Sequence, residues 1–151
     1  MRHHLLIGVA IAGALSTLSM PGFAATADEA KALSEKAAAY IKQVGEEKAF
    51  ADFTRPDGGF TQGELYVFCY DHDGVNKAHG ANLAFVGKNL LHLKDPDGKE
   101  QNVEIVKVGF EQGQGWVDFK WPNPVTKKIQ QKSAYVVRTD DVVCGVGYYK
   151  D

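Results

Sequence analysis

The stretch GWVDFKWPNP at residues 115–124, followed closely by KSAY at residues 132–135, holds both tryptophans of this chain together with a lysine and a tyrosine. Aromatic and β-branched runs of this length are typical of strands, and the Pro-Asn-Pro sequence that closes the first run indicates a turn. Two adjoining strands of this composition are predicted to form one wall of a pocket for a small ligand.

The same signals predict the rest of a sheet. The chain ends in three predicted strands, at residues 115–121, 129–138 and 142–149. The short turns between these strands favour antiparallel pairing. Upstream, the aromatic run at residues 65–70 and the run at residues 75–79 flank the turn sequence DHDG, which predicts a hairpin. Short helical segments are predicted near residues 90–93 and 103–110.

Two helices are predicted ahead of the sheet. Thr26 and Glu29 have the spacing of a capping box, and apolar residues then recur every three or four positions as far as Gly45. Residues 46–53 can form a second, shorter helix that ends in the turn at residues 55–59. The order of helix, two strands, helical insert and three strands predicts one α+β domain.

Length and composition describe one soluble domain. The 151 residues are 44% hydrophobic and 24% charged, which is ordinary for a globular protein. The formal net charge is -2, and the lysines alternate with acidic residues. A surface that follows the phosphates of a nucleic acid is therefore not expected.

Residues 1–24 have the pattern of a secretory signal peptide. Arg2 precedes an uncharged run at residues 5–18, and small residues follow Pro21. Cleavage is expected after Ala24 or after Ala27, and the alternative is an uncleaved membrane anchor. No second apolar run of about 18 residues follows, so the mature chain is expected to be free in a bacterial periplasm.

The chain has two cysteines, Cys69 and Cys144, and an oxidising compartment permits them to form one disulfide. The bond requires their two strands to be adjacent and both side chains to share a face. The alternative is a pair of buried free thiols.

Strand alternation also predicts a pocket face. The residues that could share it are Tyr66, Phe68, Tyr70, Val117, Phe119, Trp121 and Tyr135, completed by Gly145, Gly147 and Tyr149. Glycines there would leave space for a cavity, and the cysteines would lie on the opposite face under the long helix.

A carboxylate ligand needs a cation and hydroxyl or indole donors in a partly dry site. Lys132, His79, Tyr66, Tyr135 and Trp121 offer that set, and Lys132 is the first candidate for charge pairing. Lys132 and Tyr135 are three residues apart, so both face inward only if a bulge intervenes or Lys132 enters from the strand end. The alternatives are a solvated lysine and aromatic side chains that only fill the core.

The motifs of enzymes and metalloproteins are not found. His72, His79 and His92 lack the regular spacing of a zinc site, and the two Asp-x-Asp-Gly sequences are better interpreted as turns than as calcium loops. No Gly-x-Ser-x-Gly sequence, Cys-x-x-Cys sequence or phosphate-binding loop occurs. We therefore expect a protein that is not an enzyme and that carries no metal or cofactor.

Several short motifs resemble one family. They are YVF at 66–68, DHDG at 71–74, AH at 78–79, VGKN at 86–89, DPDGK at 95–99, GWVDFKWP at 115–122, KSAY at 132–135 and GVGYY at 145–149. In this order, across nearly all of the predicted mature chain, they resemble a single Cache domain of the second type. The resemblance implies a long N-terminal helix, a PAS-like antiparallel sheet of five strands, and a sensor of small organic acids outside the inner membrane.

The resemblance also sets expectations for the whole protein. Most members lie between two transmembrane helices of chemoreceptors, histidine kinases or cyclase-type receptors, whereas residues 25–151 are expected to be a stand-alone exported form. Such a form would bind a small organic acid through Tyr66, Phe68, His79, Phe119, Trp121, Lys132 and Tyr135, and signal through a membrane receptor or kinase partner. The alternative is a ligand-free structural or protein-interaction module of the same fold.

Two further expectations concern particular segments. An apolar stripe on the outward face of the first helix would favour a homodimer through that helix. Gly80 follows His79 where the family usually has proline, and glycine is expected to loosen the turn that orients the imidazole.

Overall fold

A computed structural model describes residues 24–150. The predicted signal peptide therefore lies outside the described residues, except for Ala24 at its end. Among the residues described, no helix has the length and apolar character needed to cross a membrane.

The described chain folds as two helices followed by a five-stranded sheet with one helical insert. The helices are α1 (Ala27–Val44), α2 (Glu46–Thr54) and α3 (Gln101–Lys107), and a π-helical turn at Val108–Gln112 continues α3. The strands are β1 (Val67–Asp71), β2 (Asn76–His79), β3 (Gln114–Pro122), β4 (Ile129–Thr139) and β5 (Val142–Lys150). Their order in the sheet is β2-β1-β5-β4-β3, and every pairing is antiparallel. This confirms the predicted α+β class and the five-stranded antiparallel sheet.

Local sequence explains where α1 begins. The Thr26 side chain accepts a hydrogen bond from the Glu29 N–H at 3.2 Å, and the Glu29 carboxylate accepts one from the Thr26 N–H at 2.8 Å. This is the reciprocal capping box that the sequence predicts. The segment near residues 90–93, predicted as a helical turn, is an ordinary turn closed by a hydrogen bond from the Leu93 N–H to the Leu90 carbonyl.

The pairing of β1 with β5 joins the two halves of the chain. It places Cys69 directly opposite Cys144, with their Cα atoms 4.1 Å apart, and the two are disulfide-bonded. The bond closes a loop across 75 residues, which in the chain-entropy model stabilises the fold by roughly 4 kcal/mol. Both sulfurs belong to the core cluster under α1, as strand alternation predicts.

The sheet has two differently covered faces. On one face, α1 and α2 pack small and aromatic side chains such as Ala37, Ile41 and Phe53 against β1 and β5. On the other face, α3 covers only part of the sheet, with Ile105 and Val106 against the aromatic residues of β1 and β3. The second face is therefore the one with room for a cavity.

Loops cover both edges of the sheet. At the β3 edge, Asp95 accepts the Lys120 N–H at 3.0 Å through one carboxylate oxygen and the Asp97 and Lys99 N–H groups at 2.9 Å through the other. At the β2 edge, Asn76 exchanges backbone hydrogen bonds with residues 87–88. These hydrogen bonds occupy edge groups that would otherwise be available to pair with a strand of another chain.

The outward face of α1 is polar. The large apolar side chains that are exposed in the described chain lie elsewhere, at Leu83, Val86, Trp116, Val125 and Ile129. The apolar stripe that would favour a homodimer through α1 is therefore not found on the described helix.

One carboxylate joins α1 to α2. Asp52, with 7% of its side chain exposed, accepts hydrogen bonds from Lys48 Nζ at 2.8 Å, Tyr40 Oη at 2.7 Å and an Arg55 guanidinium nitrogen at 2.6 Å. The hydrogen bond from Lys48, assisted by that from Tyr40, lowers the pKa of Asp52 to about 2.

We predict that Asp52→Asn lowers the free energy of unfolding at pH 7. Because the folded-state pKa is depressed, this stabilisation is present above the ordinary carboxyl pKa and is lost as the pH falls from about 4 through about 2. Urea unfolding of variant and wild type should therefore differ at pH 7 and converge near pH 2. Asp57→Asn, at an exposed position in the following turn, is the control. An equal difference at both pH values would contradict the prediction.

Candidate functional site

The site is organised around Lys132, near the middle of the open face of the sheet. Lys132 lies on β4 between Phe119 of β3 and Tyr149 of β5, and only 1% of the residue is exposed. Its aliphatic chain lies over Gly147, where an added Cβ would stand 2.3 Å from Lys132 Cε. The absence of a side chain at position 147 therefore creates the space that the lysine occupies.

The ammonium group of Lys132 is surrounded by aromatic rings. Lys132 Nζ donates a hydrogen bond to Tyr66 Oη at 2.8 Å and lies 4.0 to 5.9 Å from the ring centres of Tyr66, Tyr149, Phe68 and Phe119. Within residues 24–150, no carboxylate lies within ion-pair distance of it. Burial lowers the pKa of Lys132 to about 7, and the more distant carboxylate of Glu64 opposes part of this shift. An anion brought beside this nitrogen would replace the lost hydration.

His79 supplies a neutral donor to the same site. Its Nδ1 accepts hydrogen bonds from the N–H groups of Asn82 at 2.9 Å and Ala81 at 3.3 Å. The ring proton is therefore on Nε2, which can donate to a ligand. Burial lowers the pKa of His79 to about 3, and the nearby charge of Lys132 adds to the effect, so the ring is neutral at physiological pH.

The expectation that Gly80 loosens the turn after His79 stays a prediction, and the structure gives this glycine a packing role as well. An added Cβ at Gly80 would stand 2.9 Å from Tyr66 Cβ and 3.0 Å from the carbonyl oxygen of Phe53. Glycine at this position permits a close approach between β2 and its neighbours. The two backbone N–H groups that bind Nδ1 orient the imidazole.

Two cavities meet at this point. The inner cavity has a volume of about 10 Å³, which is room for about one water molecule. The side chains that line it are Tyr66, Phe68, Tyr70, His79, Gln101, Asn102, Ile105, Phe119, Trp121 and Lys132. The outer cleft has a volume of about 270 Å³ and lies between residues 81–85 and residues 122–127. Tyr66, His79 and Trp121 line both cavities and form the partition between them.

Six of the seven predicted site residues line the inner cavity. They are Tyr66, Phe68, His79, Phe119, Trp121 and Lys132. Their role in binding stays a prediction.

Tyr135 is the exception, and its predicted place on the same face as Lys132 is wrong. The register of β4 with β3 and β5 runs without a bulge through both residues, so two residues three apart point to opposite faces. Tyr135 packs instead under α1, with its ring 5.0 Å from that of Trp116 and Lys31 Nζ 5.2 Å from its centre.

The helix α3 contributes two polar side chains that are not among the predicted site residues. Gln101 and Asn102 are both 2% exposed and line the inner cavity. The apolar pattern of residues 103–110 predicts a helix but says nothing of which polar residue at its beginning faces the sheet. Only the docking of α3 on the sheet places them.

Comparison with known proteins identifies relatives across this whole domain. The sequence profile of the family Single Cache domain 2 matches residues 24–151. The sensor histidine kinase MctS of Rhizobium johnstonii is 38% identical over 88 residues, a match that covers 57% of this chain and 19% of the kinase. The chain thus matches about a fifth of the length of that relative.

Solved structures share the fold. A methyl-accepting chemotaxis protein of Vibrio parahaemolyticus superimposes with a TM-score of 0.72 at 24% identity, over 82% of this chain and 88% of that one. A Cache chemosensory domain described for carboxylic acid recognition superimposes with a TM-score of 0.63 at 25% identity, over 78% and 79% of the two chains. A periplasmic sensor domain of a chemotaxis protein gives 0.62 at 25% identity, over 80% and 87%.

We predict that Lys132→Met stabilises the ligand-free protein. The pKa of this lysine is lowered on folding, so its cost to stability is full below about pH 7 and declines as the pH rises from 7 towards the ordinary lysine value. The gain over wild type should be on the order of 3 kcal/mol at pH 6 and should shrink by pH 9.

Thermal unfolding at both pH values, in buffers free of carboxylic acids, measures this gain. Lys107→Met is the matched control, because Lys107 is exposed on α3 and lines neither cavity. A variant less stable than wild type at pH 6 would show that Lys132 is not a buried, uncompensated charge.

Proposed function

The chain belongs to the Single Cache domain 2 family, and from that premise we propose that it binds a small organic acid through the ligand's carboxylate group. The family consists of sensory ligand-binding domains, and the relatives are sensor domains of histidine kinases and chemoreceptors. We propose no catalytic activity for this domain.

One observation carries the proposal, namely the buried ammonium of Lys132, beside which no carboxylate of residues 24–150 lies within ion-pair distance. Burying an unpaired charge is costly, and a ligand carboxylate at this nitrogen would remove that cost. Two neutral donors stand beside it. His79 can donate from Nε2, and the Tyr66 hydroxyl, which accepts from Lys132, can donate its own proton. One cation and two donors suit the four acceptor positions of a carboxylate.

The size of the site favours a short acid. A ligand would enter through the outer cleft and pass the partition formed by Tyr66, His79 and Trp121 to reach Lys132. The inner cavity has room for about one water molecule, so the partition has to move as the acid enters. Acids with roughly two to four carbon atoms fit this cavity once it has widened by the volume of a few atoms.

We predict that acetate, propionate, lactate or pyruvate raises the melting temperature of the wild-type protein and that Lys132→Met abolishes the shift. A ligand at 100 times its Kd adds roughly 2.7 kcal/mol, which is a shift of several degrees for a domain of this size. Lys107→Met should keep the shift. If no acid binds the folded, ligand-free wild type, the alternative of a protein-interaction module gains support.

The affinity should also depend on pH in one direction. Only the ammonium form of Lys132 pairs with a carboxylate, so Kd should be constant between about pH 5.5 and 7 and then rise up to tenfold per pH unit. His79 does not titrate in this pH range. The pKa values of Tyr66 and Tyr149, which burial raises further, lie above the range. Isothermal titration calorimetry across pH 5.5–9 measures the dependence. Binding that strengthens above pH 7 would contradict the assigned role of Lys132.

We place the domain in the periplasm, where it would report the bound acid to a membrane receptor or kinase. Cache relatives are extracytoplasmic sensor domains, and one structural neighbour is a periplasmic one. We propose that the predicted signal peptide directs the export of the protein. The partner itself is proposed by class only, from the sensor kinase and chemoreceptors among the relatives.

We predict that export leaves Ala25 as the first residue of the mature protein. Cleavage after Ala27 would remove Thr26, whose capping bonds stabilise the start of α1 by about 1 kcal/mol. Cleavage after Ala24 keeps the cap, and the backbone nitrogen of Ala25 lies 3.0 Å from Glu64 Oε1, where a new terminal ammonium would form an ion pair. The intact mass of the protein from a periplasmic extract decides between the two sites. A mass that matches a chain beginning at Asp28 or at Met1 would refute the prediction.

A further inference from the structure

Gln101 carries a buried acceptor that no described residue uses. Gln101 is the first residue of α3, is 2% exposed and lines the inner cavity together with Lys132. Its Oε1 atom is buried and accepts no hydrogen bond within residues 24–150. Buried acceptors of this kind are uncommon in folded proteins and call for a partner.

The neighbouring polar group is already engaged, which sets Gln101 apart. The Asn102 side chain donates to the Leu90 carbonyl at 2.8 Å and so holds the beginning of α3 against the loop. The cavity that Gln101 lines has a mixed wall, with apolar side chains such as Phe68, Ile105 and Phe119 beside the polar groups of Tyr66 and His79. A ligand in this cavity therefore meets the charged end of Lys132, the donors of Tyr66 and His79, and at Gln101 a buried acceptor that no described residue uses.

We propose that Gln101 recognises a hydroxyl group, so that the preferred ligand is a short hydroxy monocarboxylate. This inference rests on the proposed carboxylate binding at Lys132 and specifies the ligand class. The carboxylate binds Lys132, and the hydroxyl donates its proton to Gln101 Oε1.

Alternative groups at that position fit the amide less well. A methyl or methylene group leaves Oε1 without a donor, and a keto oxygen cannot donate. An ammonium group would donate, but it would share a cavity of about 10 Å³ with the charge of Lys132 in surroundings that screen little. A hydroxyl both donates and accepts hydrogen bonds. It therefore pairs with the Gln101 amide whether the amide oxygen or the amide nitrogen faces the ligand.

Matched acid pairs test the proposal on wild-type protein expressed from its full sequence and refolded to remove any bound ligand. The pairs are glycolate with acetate and lactate with propionate, each titrated by calorimetry at pH 6.5. We expect the hydroxylated acid to bind about tenfold more tightly in each pair, because its partner leaves the buried acceptor unpaired. Lactate should also bind more tightly than pyruvate.

A variant assigns the preference to one side chain. Gln101→Met keeps the length of the side chain and removes the acceptor, so the ratio within each pair should fall to about twofold or less while acetate and propionate still bind. Gln101→Leu repeats the test with a second apolar side chain. Gln43→Met, at an exposed position on α1, should keep the wild-type ratio.

The outcomes separate this inference from the function on which it rests. If wild type binds both members of each pair equally and Lys132→Met loses both, the carboxylate site stands and the hydroxyl preference is refuted. A preference that persists unchanged in Gln101→Met likewise refutes the role of Gln101. If no acid binds wild type, both proposals fail. The wild-type ratios alone decide the ligand class even if neither Gln101 variant folds.

Discussion

The buried ammonium of Lys132 is the constraint on which the architecture of the site depends. Lys132 is accommodated at the centre of this sheet face because Gly147 on the neighbouring strand has no side chain, and aromatic rings surround its nitrogen. Among the described residues Lys132 donates one hydrogen bond, to Tyr66, which leaves further donor positions of the ammonium open. The ligand-free domain therefore carries an electrostatic cost that a bound carboxylate relieves.

The opposite face of the sheet makes this cost tolerable. Small and aromatic residues of α1 and α2 pack there against β1 and β5, and the disulfide between Cys69 and Cys144 joins the central strands. A second cluster of buried residues packs on the other face, where the cavity lies beside it. The strand that carries Lys132 also contacts α1, since Ser34 of α1 donates a hydrogen bond to the carbonyl of Tyr135, three residues further along β4.

Much of the fold could be predicted because its signals are local. The capping box at Thr26 and Glu29 predicts the start of α1, and the alternation of aromatic residues predicts which face of β1 and β3 lines the site. The prediction failed for Tyr135 because it required a bulge in β4, which is a regular strand. Lys132 and Tyr135 therefore point to opposite faces of the sheet. The predicted site could not include Gln101, because the sequence at the beginning of a short helix has no pattern that indicates which side is buried.

The sequence by itself determined the class of the domain, its five strands and three α-helices, and six of the residues that surround the inner cavity. These follow from periods of two and of about 3.6 residues, which depend only on neighbouring positions. Tertiary structure alone decided that no carboxylate of residues 24–150 pairs with Lys132, that Gln101 lines the same cavity, and that backbone N–H groups orient His79. Those properties arise from contacts between distant parts of the chain, such as Tyr66 with Lys132, or from the conformation of a loop, and no local period encodes them.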